Sequence, residues 1–481
     1  MPGEDGDRGS GIGDQEDLDR AVTPGPRSPV PAPRRLWPMA AGGLVGLLVL
    51  AGAGLALCLP ARRGPRTGTP LQHQVYVWQR LWNAPVRKAV AGLAGRFNGL
   101  VVLGAEVSVR SAERGTGSSE LRVPSSEFRA LQVVRVPLDA RTLALAGQPV
   151  GLALRIGPYA GPFDGQGPLT RLLGDLALSL VTEARARHLP VSELQLDFDC
   201  AERDLDGYRL WVEHIRRRVA PVPVTITALP CWTNRRAFAA LAAAADGYVL
   251  QVHSLERPAA PDAPMVLCDP VAARRAVERS GRLGRPFRVA LPTYGYLVAF
   301  DARGRFIGLS AEGPALAWDA SVRVRELRAD PEAMAGLVRD WTADRPACLQ
   351  GLIWYRLPTE ADALNWRPAT LAAVMSGRAP LARMGAEARR PEPGLVEIDL
   401  VNSGEADGRF PGVVSARWDG ARLLAGDAVQ GFELARSDPA HGIGLNYPAA
   451  GVPRRLPPGE RRMIGWLRLS SDAEVSVHVA P

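Results

Sequence analysis

Residues 193–208 read ELQLDFDCAERDLDGY, and the reading of this stretch decides the fold. Leu194 to Phe198 is a short apolar run interrupted by an acid, the pattern of a buried strand that ends at a functional rim. Asp197 and Asp199 lie two apart, so on a strand they point to the same side, where two like charges in a cleft push one pKa upward. Such a pair suits acid–base chemistry. Its plain alternative is a structural ion pair with an arginine inside the fold. Asp204 or Asp206, just beyond, reads as a cap for a helix over Gly207–Val219.

On both sides of this stretch, apolar runs of strand length alternate with longer helical patterns, as in a mostly parallel α/β fold. Candidate strands are Val75–Trp78, Leu100–Leu103, Val150–Ile156, Leu194–Phe198, Val222–Thr227, Tyr248–Val252, Phe287–Leu291 and Leu352–Trp354. Eight such runs predict a closed (β/α)8 TIM-type barrel over residues 73–377, with amphipathic helices such as Thr170–Arg187, Pro270–Ser280 and Pro331–Asp344 between them. Leu131–Val136 is expected as an extra strand. In YLVAFDARGRFIGLS, residues 296–310, two alternating runs flank Asp301–Arg305 and predict a hairpin inserted after the seventh strand.

A Pro/Arg-rich stretch, 378–393, reads as a linker, and the alternating runs of 394–481 as a small all-β, sandwich-like module. At the other end, Met39–Leu59 is uncharged and apolar, long enough to cross a bilayer core of ~30 Å as a helix. The long acidic, Pro/Gly-rich segment 1–38 is unlike the start of a cleavable signal. The expectation is therefore a disordered cytoplasmic leader, a transmembrane signal anchor at 39–59 and a linker at 60–72. Arginines flank the apolar run on both sides, so flanking charge does not choose an orientation. The long leader favours a barrel and module held outside the cytoplasm, periplasmic or at the cell surface, on a single-pass anchor.

The chain has 481 residues, 46% hydrophobic and 22% charged, with a net charge of +8. The positive excess is arginine scattered among acids, and Lys88 is the only lysine. Without a basic run interleaved with aromatics, this argues against nucleic acid as a partner. None of the five cysteines forms a Cys-x-x-Cys pair, and there is no paired-histidine or Gly-x-Ser-x-Gly motif. Metal-dependent and serine-nucleophile chemistry are set aside on that ground, and no cofactor is expected. Cys200 and Cys231 follow neighbouring predicted strands and are the pair to test for a disulfide in an oxidising compartment.

Trp78, Trp82, Trp232, Tyr294, Tyr296, Trp354 and Tyr355 fall at or just after predicted strand ends, where aromatic faces can stack on sugar rings. The alternative is an apolar plug closing the barrel. His253, after the sixth strand, is either a ligand contact or a satisfied buried histidine.

The strand-four motif resembles that of the family-18, chitinase-like glycoside hydrolases, which carry Asp-x-Asp-x-Glu there with the glutamate as general acid. Here Ala201 stands at the glutamate's place and Glu202 follows one residue later. ALPTYGY (290–296) is similar to the family's Pro-x-Tyr-Gly, and GLIWYRLP (351–358) to its eighth strand. The resemblance implies Glu202 as acid, Asp199 as an electrostatic or orienting group, Asp197 as a supporting carboxylate and Trp354 as the floor of a sugar subsite. Where the family has Met-x-Tyr-Asp this chain has Gln251-Val252-His253-Ser254, so its acetamido contacts do not carry over. Over about Gln74–Thr370 the chain is identified as a member of domain of unknown function 3142, on LQLDFD and TALPCW, which implies a barrel. The functional expectation is a glycoside hydrolase-like protein acting on cell-envelope or extracellular polysaccharide. Its rivals are a catalytically silent glycan-binding barrel and a structural envelope protein.

Overall fold

Eight strands rich in β-branched and aliphatic residues make the barrel: β1 (Gln72–Val77), β2 (Gly99–Val109), β3 (Val150–Ile156), β4 (Val191–Phe198), β5 (Val224–Ala228), β6 (Gly247–Gln251), β7 (Phe287–Pro292) and β8 (Leu349–Tyr355). They pair in parallel in chain order, and β8 returns to pair with β1, so the sheet closes. The computed structural model describes residues 64–109, 131–159, 161–310, 318–319, 321–438, 442–448 and 454–480. The expected leader 1–38 and membrane span 39–59 lie outside these residues. Among the described residues no helix is long and apolar enough to cross a membrane.

Among the described residues eight helices connect or follow the strands: α1 (Ala84–Leu93), α2 (Ala140–Ala146), α3 (Pro168–Ala186), α4 (Leu205–Val219), α5 (Arg236–Ala244), α6 (Pro270–Gly281), α7 (Pro331–Ala343) and α8 (Pro368–Met375). Their starts are specified locally. Asp269 and Asp330 each accept from two backbone N–H groups of the first turn, with proline as the first helical residue. Neither Asp204 nor Asp206 caps α4 through its side chain: Asp204 occupies the cap position without such a bond, and Asp206 is already within the helix.

Strand parity divides the core in two. One set of apolar side chains, including Leu194, Leu196, Phe198 and Trp354, packs outward against the helices. The alternate set, including Tyr76, Val101, Ala153, Val249, Ala290 and Ile353, fills the barrel interior. At the amino-terminal end of the strands the interior is polar. Arg288 forms a two-pronged ion pair with Glu193, at 2.6 and 2.7 Å, and also donates to Gln74, while Thr225 donates to Glu193 at 2.7 Å.

Leu131–Arg135 is the expected extra strand, antiparallel to the far end of β2. The expected hairpin after β7 is part of a larger unit, because Gly295–Phe300 pairs with Phe306–Ser310 on one side and Arg323–Arg328 on the other. The expected linkers are shorter than the sequence suggested. Within 60–72, Arg66–Thr67 pairs with Arg345–Pro346, and β1 begins at Gln72. Within 378–393, Met384–Glu392 is a strand paired with Leu395–Asn402. Its arginines and glutamates are the solvent face of an edge strand, where charge blunts the exposed backbone edge.

The C-terminal module therefore starts at Met384. Two four-stranded antiparallel sheets enclose a separate core with Ile398, Leu400, Val414, Trp418, Leu445 and Leu467, a β-sandwich. Barrel and module belong to one compact unit. Arg328 bridges Asp407 of the module and Glu326 of its own strand, each at 2.6 Å, and Arg455 of the module approaches Glu326 at 3.6 Å.

Candidate active site

At the carboxyl ends of the barrel strands the inward residues change from aliphatic to charged and aromatic. Asp197 is the inward residue near the end of β4. Its Oδ1 accepts from the Thr227 hydroxyl at 2.9 Å and the Gln251 amide at 3.4 Å, and Arg155 Nε stands 3.9 Å from Oδ2. Burial pushes the Asp197 carboxyl up to about 6, and the neighbouring Asp199 adds to the shift, against the opposing pull of Arg155, Thr227 and Gln251. Asp199 opens to solvent on one side, yet the surrounding loops strip enough hydration to raise its pKa as well, again against Arg155. The two carboxyls titrate as a pair.

Arg155 is held from its other side by Glu106, at 3.5 Å, and Arg80 grips the same carboxylate at 2.6 and 3.0 Å. A line of alternating charge, Arg80–Glu106–Arg155–Asp197, thus crosses the barrel mouth.

Beside the carboxylates stands a continuous aromatic cluster. The Tyr355 ring lies 5.7 Å from both Tyr76 and Trp78, 5.4 Å from Tyr294 and 5.5 Å from the His253 ring, on which it stacks. Tyr296 meets Tyr294 edge-on at 5.2 Å. Burial pushes the Tyr294 and Tyr355 hydroxyls upward, so both stay protonated donors. It pushes His253 down to about 4, leaving a neutral imidazole at ordinary pH. Its Nδ1 lies 3.4 Å from the Tyr294 hydroxyl, and its Nε2 has no partner among the described residues.

The fold thus brings Asp197, Asp199, Trp78, His253, Tyr294 and Tyr355 to one end of the barrel. It does not bring Trp354 or Trp232 there. Trp354 follows Ile353 and precedes Tyr355, both inward, so it points outward. It is fully buried 6.1 Å from Trp366, and its Nε1 donates to His73 Nδ1 at 3.1 Å. Trp354 is therefore not placed to form the subsite floor implied for it, and the neighbouring aromatic that faces inward is Tyr355. Trp232 is buried against Phe238 in the outer layer. Glu202 sits in a one-turn 3₁₀ helix, where it is ion-paired with Arg235 and accepts from the Cys231 thiol. Its carboxylate is therefore engaged by the loop after β5. Cys200, Cys231, Cys268 and Cys348 are all free thiols.

Tyr76, Arg155, Thr227 and Gln251 were not singled out from the sequence. A signal existed for Arg155, since a lone charge in the otherwise apolar strand VGLALRI must either face solvent or meet a partner inside. Among the described residues no group of His, Cys, Asp and Glu side chains could hold a metal ion.

Residues 386–470 match a second family, Domain of unknown function (DUF8456). Among curated proteins none matches the chain. Similar solved structures include the Bacillus cereus spore cortex-lytic enzyme SleL, at 12% identity and TM-score 0.43, covering 65% of this chain and 75% of that one. A chitinase from Chromobacterium violaceum ATCC 12472 gives 16% identity and TM-score 0.39, covering 64% and 98%. Chitinase ChiA74 from Bacillus thuringiensis gives 10% and 0.37, covering 85% and 100%. At such scores no residue role or activity is carried across. Residues 164–360 match the family described as Domain of unknown function (DUF3142).

Proposed function

We propose that the barrel mouth is a saccharide site and that the protein is a glycoside hydrolase-like protein acting on a cell-envelope or extracellular polysaccharide. The observation that carries this reading is the pairing of Asp197 and Asp199, both with raised proton affinity, beside the aromatic group of Trp78, Tyr294, Tyr296 and Tyr355. A pair that holds one proton below about pH 6 offers an acid and a carboxylate at once. The protonated member can deliver its proton to a leaving glycosidic oxygen while the ionised member stabilises positive charge developing on the sugar. Asp199, at the open end, is the member that reaches the ligand and, when it carries the shared proton, the one that delivers it. Asp197, held by Thr227, Gln251 and Arg155, sets the charge of the pair. In this reading Glu202 anchors a loop, and the aromatic faces bind the apolar sides of the rings.

One observation favours the rival, a barrel that binds glycan without cleaving it: Ala201 occupies the acid's place and Glu202 is tied to Arg235. Calorimetry and product analysis on chitin oligomers, peptidoglycan fragments and secreted polysaccharides separate the two. With an enzyme, Asp199→Asn lowers turnover by about 100-fold to 10,000-fold while affinity changes little. Binding without products identifies the silent barrel. Absence of both across the panel refutes the saccharide site and leaves the structural envelope role. The same proposal puts the barrel outside the cytoplasm on the anchor at Met39–Leu59. An alkaline phosphatase fusion at Pro481 is then active, and activity of a cytoplasmic reporter there refutes the orientation.

A further inference from the structure

Gln195 faces the barrel axis between Glu193 and Asp197 on β4. It is fully buried, and neither the nitrogen nor the oxygen of its amide has a hydrogen-bond partner among the described residues. The Tyr76 hydroxyl, reaching inward from β1, is also buried and unpartnered. Two such groups in one core are anomalous, because buried amides and hydroxyls are almost always paired.

Both lie near the same two acids. The Tyr76 hydroxyl senses the charges of Asp197, Arg288 and Glu193, and on β4 those acids are the inward residues directly above and below Gln195. The inward residues around it include Ala153, which is Gln195's neighbour on β3, and Ala290, both small and without a polar side-chain atom. Neither orphaned group can turn to an aliphatic wall for a bond.

We propose that Gln195 and Tyr76 form a built water site in the barrel core, in which bound water bridges the amide, the hydroxyl and the inner side of Asp197. A polar pocket offering two or more hydrogen-bonding groups is the setting in which internal water is retained. Gln195 and Tyr76 are then positioning residues, acting on Asp197 through solvent. Water donating to the Asp197 carboxylate favours its charged form. It supplements the groups that face Asp197 from the surrounding strands: Arg155, Thr227, Gln251 and the Tyr355 and Asp199 side chains. Because the inference concerns core hydration, it stands or falls separately from the saccharide reading.

The test uses the full chain and its Gln195→Leu and Tyr76→Phe variants. Magnetic relaxation dispersion of solvent reports long-lived internal water, and the wild type is expected to show at least one molecule more than either variant. The Asp197 carboxyl, assigned by its disappearance in Asp197→Asn, is followed by carbon NMR. Both variants are expected to raise its proton affinity by roughly threefold to thirtyfold and to lower the denaturation midpoint. Equal internal water in all three proteins overturns the proposal. So does a Gln195→Leu protein that is more stable than the wild type with an unmoved Asp197 titration, the signature of a dry amide removed. If Gln195→Leu fails to fold, the comparison of wild type with Tyr76→Phe decides alone.

Discussion

Two adjacent aromatic residues on β8 face opposite ways, and exchanging which is removed tests the site directly. Trp354→Ala deletes a fully buried ring packed on Trp366 and removes the donor to His73 Nδ1. Tryptophan-to-alanine changes in such settings cost about 3–5 kcal/mol, and the lost indole bond to a largely desolvated, neutral imidazole belongs to that total. Trp354→Phe keeps much of the apolar area and is expected to cost about 1–3 kcal/mol. Neither change alters the inward face, so saccharide affinity measured where the variant is fully folded stays within about twofold of the parent. Tyr355→Ala opens the inward aromatic cluster instead and weakens binding by about 1–3 kcal/mol, a factor of roughly 5 to 150. Urea unfolding gives the stability term and calorimetry well below the transition gives the affinity. Loss of affinity in Trp354→Ala with stability unchanged to within about 1 kcal/mol would refute the strand parity on which the site rests.

Three further outcomes follow from the geometry. The Asp197 pKa is about 6 when folded against ~3.9 unfolded, so the folded state holds more protons between these values. Stability should therefore be fullest below about pH 4 and fall by up to about 3 kcal/mol as pH rises through 6, a slope that Asp197→Asn removes; a stability that climbs across this window in the parent relative to Asp197→Asn contradicts the burial argument. Arg288→Met leaves Glu193 buried without its counter-charge and should cost about 3–5 kcal/mol, much of it recovered in the Arg288→Met, Glu193→Gln double variant, as read by a urea double-mutant cycle. Limited proteolysis should spare Met384–Glu392, which is hydrogen-bonded to its neighbour along most of its length; early cleavage there would restore this stretch as a linker.

Hydrophobic periodicity was enough to read the barrel, because each strand of a closed parallel sheet is covered on both faces and appears as a short apolar run between helices. The alternating runs of the tail were legible for the related reason that each strand of a sandwich has one wet face. Charge-rich Met384–Glu392 escaped the same logic, since an edge strand facing solvent has the composition of a linker. The site divided along similar lines. Asp197 and Asp199 were legible because acids at the end of an apolar strand have little reason to be there except to face the barrel mouth.

What the amino-acid sequence determined by itself is thus the element order, the barrel and the carboxylate pair, all of which depend on local pattern. What only the tertiary structure decided is which neighbour each polar group meets. A strand read one residue out of phase has the direction of every side chain reversed, so Trp354, expected at the mouth beside Tyr355, points outward instead. Glu202 was engaged by Arg235, which comes from the loop after β5, and Arg155 reached Asp197 from β3. Long-range pairings of this kind follow from closure of the sheet, and residues far apart in the chain carry no periodicity that announces them.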